Sequence, residues 1–281
     1  MKKKSLMFRK ATLKDIPQCE RLVAHSDWQD FIRKYVKKRV NQPDKYLYVV
    51  CKNEKILGIG CVTVLPEEMA WLEGIRVHDN YYQQGIGTAL FGHGVDYAQK
   101  NGFTRVLFST TYYNKGAINI GRTLGFDRIA DFDVVSGNPL PMRVHHKEPG
   151  KEISLDKAFK ILKSIQQGPH HELCIGFNKV YPFSPELCEK ENVHFYGTTK
   201  TIVLETDVNL EFFKESIRDV VVYGLKDVRV LLEDVIRRAK RNACTRVRVL
   251  GSSTSIHYGL ELGFTYFMGE RFGLAIFKKE L

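Results

Sequence analysis

Between Glu73 and Leu90 the chain reads Glu-Gly-Ile-Arg-Val-His-Asp-Asn-Tyr-Tyr-Gln-Gln-Gly-Ile-Gly-Thr-Ala-Leu. An apolar, strand-like run ends at Val77. After a polar turn, Gly85 and Gly87 open a segment with helical spacing at Ala89, Leu90, Val95 and Ala98. The N–H groups of such a turn have no partner inside the helix. They converge on one point, where the helix dipole also favours negative charge. The chemistry open to this stretch is therefore the holding of a phosphate or pyrophosphate.

Strand, turn and helix need a scaffold, and the flanking residues supply one. Met7–Ala11 reads as a short strand, and Thr12 with Asp15 resembles a capping box opening a helix to about Ala24. Asp30–Val40 reads as a second helix, with Phe31, Tyr35 and Val36 on one face and Arg33, Lys34, Lys37, Lys38 and Arg39 on the other. That basic face is either solvated surface or a wall of an entrance for an acidic substrate or cofactor. Strands are expected at Tyr46–Lys52, Ile56–Leu65 and Met69–Val77, joined by hairpin-type connections, and they form an antiparallel meander. A helix to about Asn101, a strand at Arg105–Ser109, a helix at Asn114–Leu124 and a strand at Asp127–Val135 follow. Alternation of strands and helices implies a sheet that turns parallel near its centre.

Residues 137–150 are rich in proline and glycine and read as a linker, with a possible last strand of the first domain at Arg143–His146. His145 and His146 have no carboxylate or cysteine at ligand spacing, so no metal site is expected there. Beyond the linker the spacing predicts a helix from Ser154 to Gln166 and strands at Glu172–Asn178 and His194–Glu205. Helices are then predicted at Asn209–Asp219 and Asp227–Asn242, a strand at Thr245–Leu250 and a helix at Ser255–Leu262. Short strands at Thr265–Phe267 and Leu274–Lys278 close the series.

A repeat runs through both halves. Ala98–Leu107 aligns without gaps on Ala239–Arg248, with Asn101, Thr104, Arg105 and Val106 matched by Asn242, Thr245, Arg246 and Val247. Each copy continues through a helix into Leu-Gly-Phe, at Leu124-Gly125-Phe126 and at Leu262-Gly263-Phe264. The expectation is a duplicated domain, residues 1–147 and 148–281. At the same offset Gly85 and Gly87 fall on Lys226 and Val228, so the second copy lacks the phosphate turn.

The 281 residues are 43% hydrophobic and carry a formal net charge of +11. Residues 1–150 hold 23 Lys and Arg against 15 Asp and Glu, which places an anionic partner with the first half. There is no nucleic-acid motif and no interleaving of aromatic with basic residues, so a phosphorylated cofactor accounts for the bias better than nucleic acid does. The six cysteines are scattered with no Cys-x-x-Cys pair, no apolar run is long enough for a membrane span, and a cytoplasmic protein is expected.

Tyr82-Gln83-Gln84-Gly85-Ile86-Gly87, then Asn114-Lys115-Gly116-Ala117 and Leu124-Gly125-Phe126, stand in the order and on the elements of a known signature. The chain resembles the GNAT superfamily of N-acetyltransferases over Phe8–Asp133, and residues 155–281 resemble a degenerate second domain. The fold class implied is α/β (α+β), with two GNAT-like acyl-CoA N-acyltransferase domains, each a mixed sheet flanked by helices. The resemblance implies acetyl-CoA as co-substrate and no metal. Its pyrophosphate is expected on the backbone of Gln83, Gln84, Gly85, Ile86, Gly87 and Thr88. Its pantetheine arm is expected along Ile75, Arg76 and Val77, with Asn114 nearby.

Two departures stand out. Tyr82 replaces the family's Arg or Gln, and Gly121 falls where many members carry the tyrosine that protonates the departing thiolate. Tyr112 and Tyr113 are alternatives for that acid, Tyr113 being the expected catalytic one, and Glu73 is the expected base or amine anchor. The N–H of Val77 or its neighbour would stabilise the oxyanion. His78 and His93 are expected to be packed or exposed rather than catalytic.

The acceptor is expected to be the amine of a small molecule or amino acid, and Leu72–Val77 resembles the histidine N-acetyltransferase branch. A peptide acceptor is the alternative, and a non-catalytic acyl-CoA-binding regulator is the rival from another class. A monomer or homodimer is expected.

Overall fold

The computed structural model describes residues 6–23, 29–145, 151–165, 172–174, 180–182, 188–189, 192–198, 200–210, 215–269 and 271–281. The chain divides into two compact units. One comprises Met1–Phe108, Asn114–Arg128 and Phe277–Leu281, and the other Ser109–Tyr113 and Ile129–Ile276. Residues 129–147, read from the sequence as part of a first domain, thus fall in the second unit, and residues 277–281 fall in the first.

The first unit opens with β1 (Met7–Lys10), α1 (Ile16–Leu22) and α2 (Gln29–Arg39). The meander β2 (Lys45–Lys52), β3 (Lys55–Leu65) and β4 (Met69–Val77) follows. Helix α3 (Ile86–Lys100), strand β5 (Arg105–Thr111) and helix α4 (Lys115–Thr123) lead into β6 (Asp127–Gly137). The sheet of this unit runs β1-β2-β3-β4-β5 and ends on residues 277–280 of β14 (Phe272–Glu280). β1–β2, β2–β3 and β3–β4 pair antiparallel, and β4 pairs with β5 in parallel.

Residues from α1 and α2, such as Ile16, Leu22, Ile32 and Val36, close one face with Leu47, Val49, Ile59 and Cys61. Helix α3 packs on the other face, against β3 and β4. The entry to α1 is fixed by Asp15, whose carboxylate accepts from the Thr12 N–H at 2.8 Å and pairs with Arg9 at 2.7 Å. That segment starts as a 3-10 turn, Leu13–Asp15, before the α-helix, because Pro17 sits in the first α-helical turn.

The second unit holds α5 (Leu155–Ile165), a separate pair β7 (Glu172–Cys174) and β8 (Val180–Pro182), then β9 (His194–Gly197), β10 (Thr201–Leu210) and β11 (Glu215–Gly224). Helix α6 (Val228–Arg241), β12 (Arg246–Gly251), α7 (Ser253–Glu261), β13 (Thr265–Tyr266) and residues 272–276 of β14 complete it. Its sheet order is β14-β6-β12-β11-β10-β9, with β13 on β6. β11 and β12 are parallel, as β4 and β5 are in the first unit. The core lies between this sheet and α6 and α7, around Val220, Leu232, Val235, Val249 and Phe264.

Three expectations need correction. The helix expected at Asn209–Asp219 is absent: β10 and β11 form a hairpin ladder from Thr201↔Gly224 to Leu210↔Glu215. The buried β-branched run Ile217, Val220, Val221 and Val222 favours strand, and that packing overrides the helix formers near residue 211. The strand expected at His194–Glu205 is two strands, broken after Gly197. Arg143–His145 carries no strand, and His146 lies outside the described residues. So do residues 175–178 of the expected Glu172–Asn178 strand. No described helix is long and apolar enough to cross a membrane.

Candidate functional site

The site grows from an irregularity in β4. Opposite β3, Glu73 pairs with Cys61 and Arg76 with Ile59, so two residues of β4, Gly74 and Ile75, face Gly60 alone. This is a β-bulge, and it shifts the alternation of side chains by one. Directly paired residues share a face of the sheet. Glu73 and Arg76 therefore both stand on the face that α1 and α2 cover with Ile59 and Cys61. Gly74 has φ +63, and a Cβ there would lie 1.9 Å from the Tyr35 hydroxyl, so only glycine fits. On the other side of β4 the ladder to β5 stops at Trp71↔Leu107. Among the described residues, Leu72–Val77 have no ladder partner from β5.

The glycine turn lies on the opposite face. Gly85 is the N-cap of α3 with φ 79, and Gln83 also has a positive φ of 59. The first helical hydrogen bond of α3 is from Ala89 N–H to the Gly85 carbonyl at 2.9 Å, which leaves the N–H groups of Ile86, Gly87 and Thr88 without helical acceptors. A Cβ on Gly87 would come within 3.2 Å of Ile120 and 3.8 Å of Val77, so the helix start, the end of β4 and α4 converge there. No acidic side chain occupies the first turn of α3. Unpaired N–H groups, left-handed glycine and absence of a carboxylate all suit an anionic ligand. Gln84 braces the turn by donating to the Asn80 carbonyl at 3.0 Å, and Tyr82 is exposed.

Around the bulge the side chains are charged and largely covered. Glu73 Oε1 accepts from Arg39 Nε at 3.1 Å, from Lys45 Nζ at 3.5 Å and from Thr63 Oγ1 at 2.8 Å. Oε2 accepts from Arg39 Nη2 at 3.4 Å. Burial pushes the Glu73 carboxyl up, but Arg39, then Lys45 and Thr63, outweigh it and hold it below the usual carboxylate range. Glu73 is thus an ionised, weakly basic carboxylate.

The Arg39 guanidinium stacks 3.8 Å over the Tyr35 ring. Burial drives the Tyr35 phenol well above its ordinary value, and its hydroxyl is buried with no hydrogen-bond partner among the described residues. Burial also lowers the Arg76 guanidinium, which donates to the Ile75 carbonyl at 2.8 Å.

The other expected site residues fall as follows. Asn114 caps α4, its Oδ1 accepting from Ala117 N–H at 3.1 Å. Gly121 is buried, and a Cβ there would lie 2.7 Å from the Phe108 ring. Phe108 in turn stacks on Phe277 at 4.8 Å and meets Phe91 and Phe126 edge-on. An aromatic core fills the place where a tyrosine was missing from the sequence pattern. Tyr113 belongs to the second unit, where its exposed hydroxyl donates to the Arg271 carbonyl.

His93 is packed, stacked on Phe8 at 4.3 Å with the Tyr46 hydroxyl 3.1 Å away. His78 Nδ1 accepts from Asn80 N–H at 3.3 Å. The thiols of Cys19 and Cys61 are pushed by burial up to about 12, which makes them packing groups rather than nucleophiles. Among the described residues no group of three or more His, Cys, Asp or Glu is placed to hold a metal.

Sequence reasoning missed the partners of Glu73. Arg39 and Tyr35 were visible only as members of opposite faces of a helix, although their i, i+4 spacing puts them side by side. A glycine inside a strand, Gly74, was the available signal for the bulge.

The second unit repeats the local hydrogen bonds. Phe126 N–H to Gly121 O at 2.9 Å is matched by Phe264 N–H to Gly259 O at 3.1 Å, and Phe103 N–H to Ala98 O by Cys244 N–H to Ala239 O. The turn differs. Asp227 caps α6 with φ 58, and the Lys226 N–H is taken by the Thr201 hydroxyl at 3.0 Å. The β11–β12 ladder continues for five pairs, from Ile217 to Val221. An acidic cap, an occupied N–H and a longer ladder leave no equivalent cradle.

Comparison with known proteins agrees with this asymmetry. Residues 11–126 match the model of the acetyltransferase (GNAT) family. A stretch of 88 residues is 32% identical to the [Ribosomal protein bS18]-alanine N-acetyltransferase of Escherichia coli K12, covering 31% of this chain. The same match is found with the Shigella flexneri counterpart, and the chain spans 59% of the length of these curated relatives. A solved candidate acetyltransferase from Thermoplasma acidophilum shares the fold over 98% of this chain and 100% of its own, with TM-score 0.63 and 14% identity. A GCN5-related N-acetyltransferase from Sphaerobacter thermophilus does so over 98% and 95%, with TM-score 0.61 and 13% identity. Residues 11–126 are thus similar to the acetyltransferase (GNAT) family, and the chain as a whole shares its fold with these solved structures.

Proposed function

We propose that the chain is an N-acetyltransferase that moves an acetyl group from acetyl-CoA to a primary amine of a small molecule or amino acid by direct attack. The observation that carries this reading is the pairing of a carboxylate-free, left-handed Gly85 cap with a β4 edge open from Leu72 to Val77. Ile86, Gly87 and Thr88 would hold the pyrophosphate through their N–H groups, with Gln83 and Gln84 shaping the turn. Ile75, Arg76 and Val77 would pair through their main chain with the pantetheine arm, and Asn114 would border it. Acetyl-CoA supplies an activated thioester: a C–N bond forms at its carbonyl, the C–S bond breaks, the amine loses a proton and the thiolate gains one.

The chain's own residues set the conditions for that exchange. Unpaired N–H groups of β4 near Val77 would stabilise negative charge at the carbonyl oxygen. Glu73, held ionised by Arg39 and Lys45, orients those cations and is a poor base. Proton removal therefore falls to water or to the amine's own equilibrium. With Gly121 packed against Phe108, thiolate protonation falls to solvent. A thiol pKa near ~8.5 makes the thiolate a tolerable leaving group without a dedicated acid.

Two further readings have support. The similarity to a ribosomal-protein-alanine N-acetyltransferase favours a peptide α-amine as acceptor. The filled Gly121 position favours an acyl-CoA-binding regulator without turnover. Calorimetric titration with acetyl-CoA, followed by CoA release over a panel of amines and peptides, separates them. Amine-dependent release supports the enzyme. Tight binding with hydrolysis-level release from every acceptor supports the regulator.

A further inference from the structure

We infer that Tyr35 and Arg39 of α2 are positioning residues for the donor: they hold the β4 bulge in place, and the bulge keeps the β4 edge open for the pantetheine arm. The inference rests on the acetyltransferase reading and adds to it two residues on the face of the sheet away from the glycine turn. Both act through the strand.

The open edge begins where the bulge does. A bulged strand bends and twists more strongly than its neighbour, and a bulge is one way of ending a ladder. β4 pairs with β5 from Met69↔Arg105 only as far as Trp71↔Leu107, and its register to β3 slips between Cys61↔Glu73 and Ile59↔Arg76. Ladder and register break within a few residues of each other, and Ile75, Arg76 and Val77 lie there. The second unit shows the converse. β11 pairs with β10 in unbroken register from Leu210↔Glu215 to Thr201↔Gly224, and its parallel ladder to β12 runs from Ile217 to Val221. Without a bulge, that parallel pair stays closed.

A bulge built on glycine needs something to hold it. Gly74 sits at φ +63, a conformation that glycine enters and leaves easily, and a slip of one residue would restore ordinary alternation. Two side chains one helical turn apart on α2 close on this point. The Tyr35 hydroxyl stands where a Cβ of residue 74 would be. It is buried with no hydrogen-bond partner among the described residues, so what it supplies there is contact with the bulge. Arg39 stacks 3.8 Å over the same ring and reaches the preceding residue, Glu73, through Nε at 3.1 Å and Nη2 at 3.4 Å. Such a two-pronged grip fixes direction as well as distance. Glu73 is fastened in turn to β3 through Thr63 Oγ1 at 2.8 Å. Ring, guanidinium and carboxylate thus tie α2, β4 and β3 together at residues 73 and 74, immediately before the edge proposed to receive the donor.

The test uses the full chain and two ligands in calorimetry. Acetyl-CoA spans cradle and edge, whereas adenosine 3′-phosphate 5′-diphosphate carries the pyrophosphate and no pantetheine arm. Tyr35→Leu and Arg39→Gln are each expected to weaken acetyl-CoA by at least about 10-fold and the shorter ligand by less than about 2-fold. Lys37→Gln, exposed on the same helix, should change neither. Circular dichroism checks the fold, and if Tyr35→Leu does not fold, Arg39→Gln at the end of α2 carries the same comparison.

A general loss of structure lowers both affinities together, so equal losses overturn the inference, as does no loss at all. A wild-type chain that binds the shorter ligand no worse than acetyl-CoA, or binds neither, overturns the acetyltransferase reading, and the inference falls with it.

Discussion

Replacing Gly85 or Gly87 with glutamate sets a carboxylate at a helix start that lacks an acid, and at Gly85 also forces a side chain into φ 79. Like charges brought together in this way cost several kcal/mol, so acetyl-CoA binding should weaken by about 100-fold or more in a calorimetric titration. Lys226→Glu, in a turn already closed by Thr201, should leave binding unchanged. A second residue-scale test concerns the bulge. Gly74→Ala should destabilise the chain by about 1–3 kcal/mol in urea unfolding, because its Cβ meets the Tyr35 hydroxyl. Tyr35→Phe alone should be nearly neutral, since that hydroxyl has no partner among the described residues, and it should recover part of the Gly74→Ala loss. The two glycines of the cradle were legible in the sequence because glycine marks places where backbone must do what other residues cannot. The Glu73–Arg39 pair was not, since its partners lie 34 residues apart and nothing local announces them.

At the scale of elements, the entry to α1 depends on one carboxylate. Asp15 is held below the usual carboxylate range by its bonds to Arg9, against the opposing pull of burial, with Thr12 adding to the lowering. A carboxyl whose folded value is depressed adds stability above its unfolded value near ~4, and loses it as pH falls through the folded value. Asp15→Asn should therefore cost about 1 kcal/mol at pH 7 and progressively less as pH falls below ~4, measured by urea unfolding across that range. Gly121→Tyr belongs here too. It would drive a ring into Phe108 and lower stability by about 1–3 kcal/mol. Strands β2, β3 and β4 were legible because apolar runs of strand length are cut by turn residues such as Asn53 and Pro66. The β10–β11 pairing was not, because the sequence near residue 211 carries helix formers while Val203, Val220 and Val222 are buried with α6 in the second unit's core. The β4 bulge was hidden for a related reason: register is a property of two strands, and a sequence shows one at a time.

For the molecule as a whole, the repeat was legible because both copies keep the same local bonds around Leu-Gly-Phe. Membership of the two units was not. Phe277 stacks on Phe108, Lys279 donates to the Leu124 carbonyl at 2.5 Å across 155 residues, and Leu281 N–H reaches the Thr104 carbonyl. Removing residues 277–281 should therefore raise hydrogen exchange in β5 and α4, whereas the α6–β12 region should keep its protection. Parity between the two regions would argue against this division. The same arrangement sets an order for synthesis. A ribosome must translate nearly the whole second unit before the last pieces of the first are available, so the cradle waits, half built, on a strand made more than a hundred residues later. A nascent chain stalled anywhere in that interval carries the glycine turn while Phe108 still lacks its stacking partner Phe277.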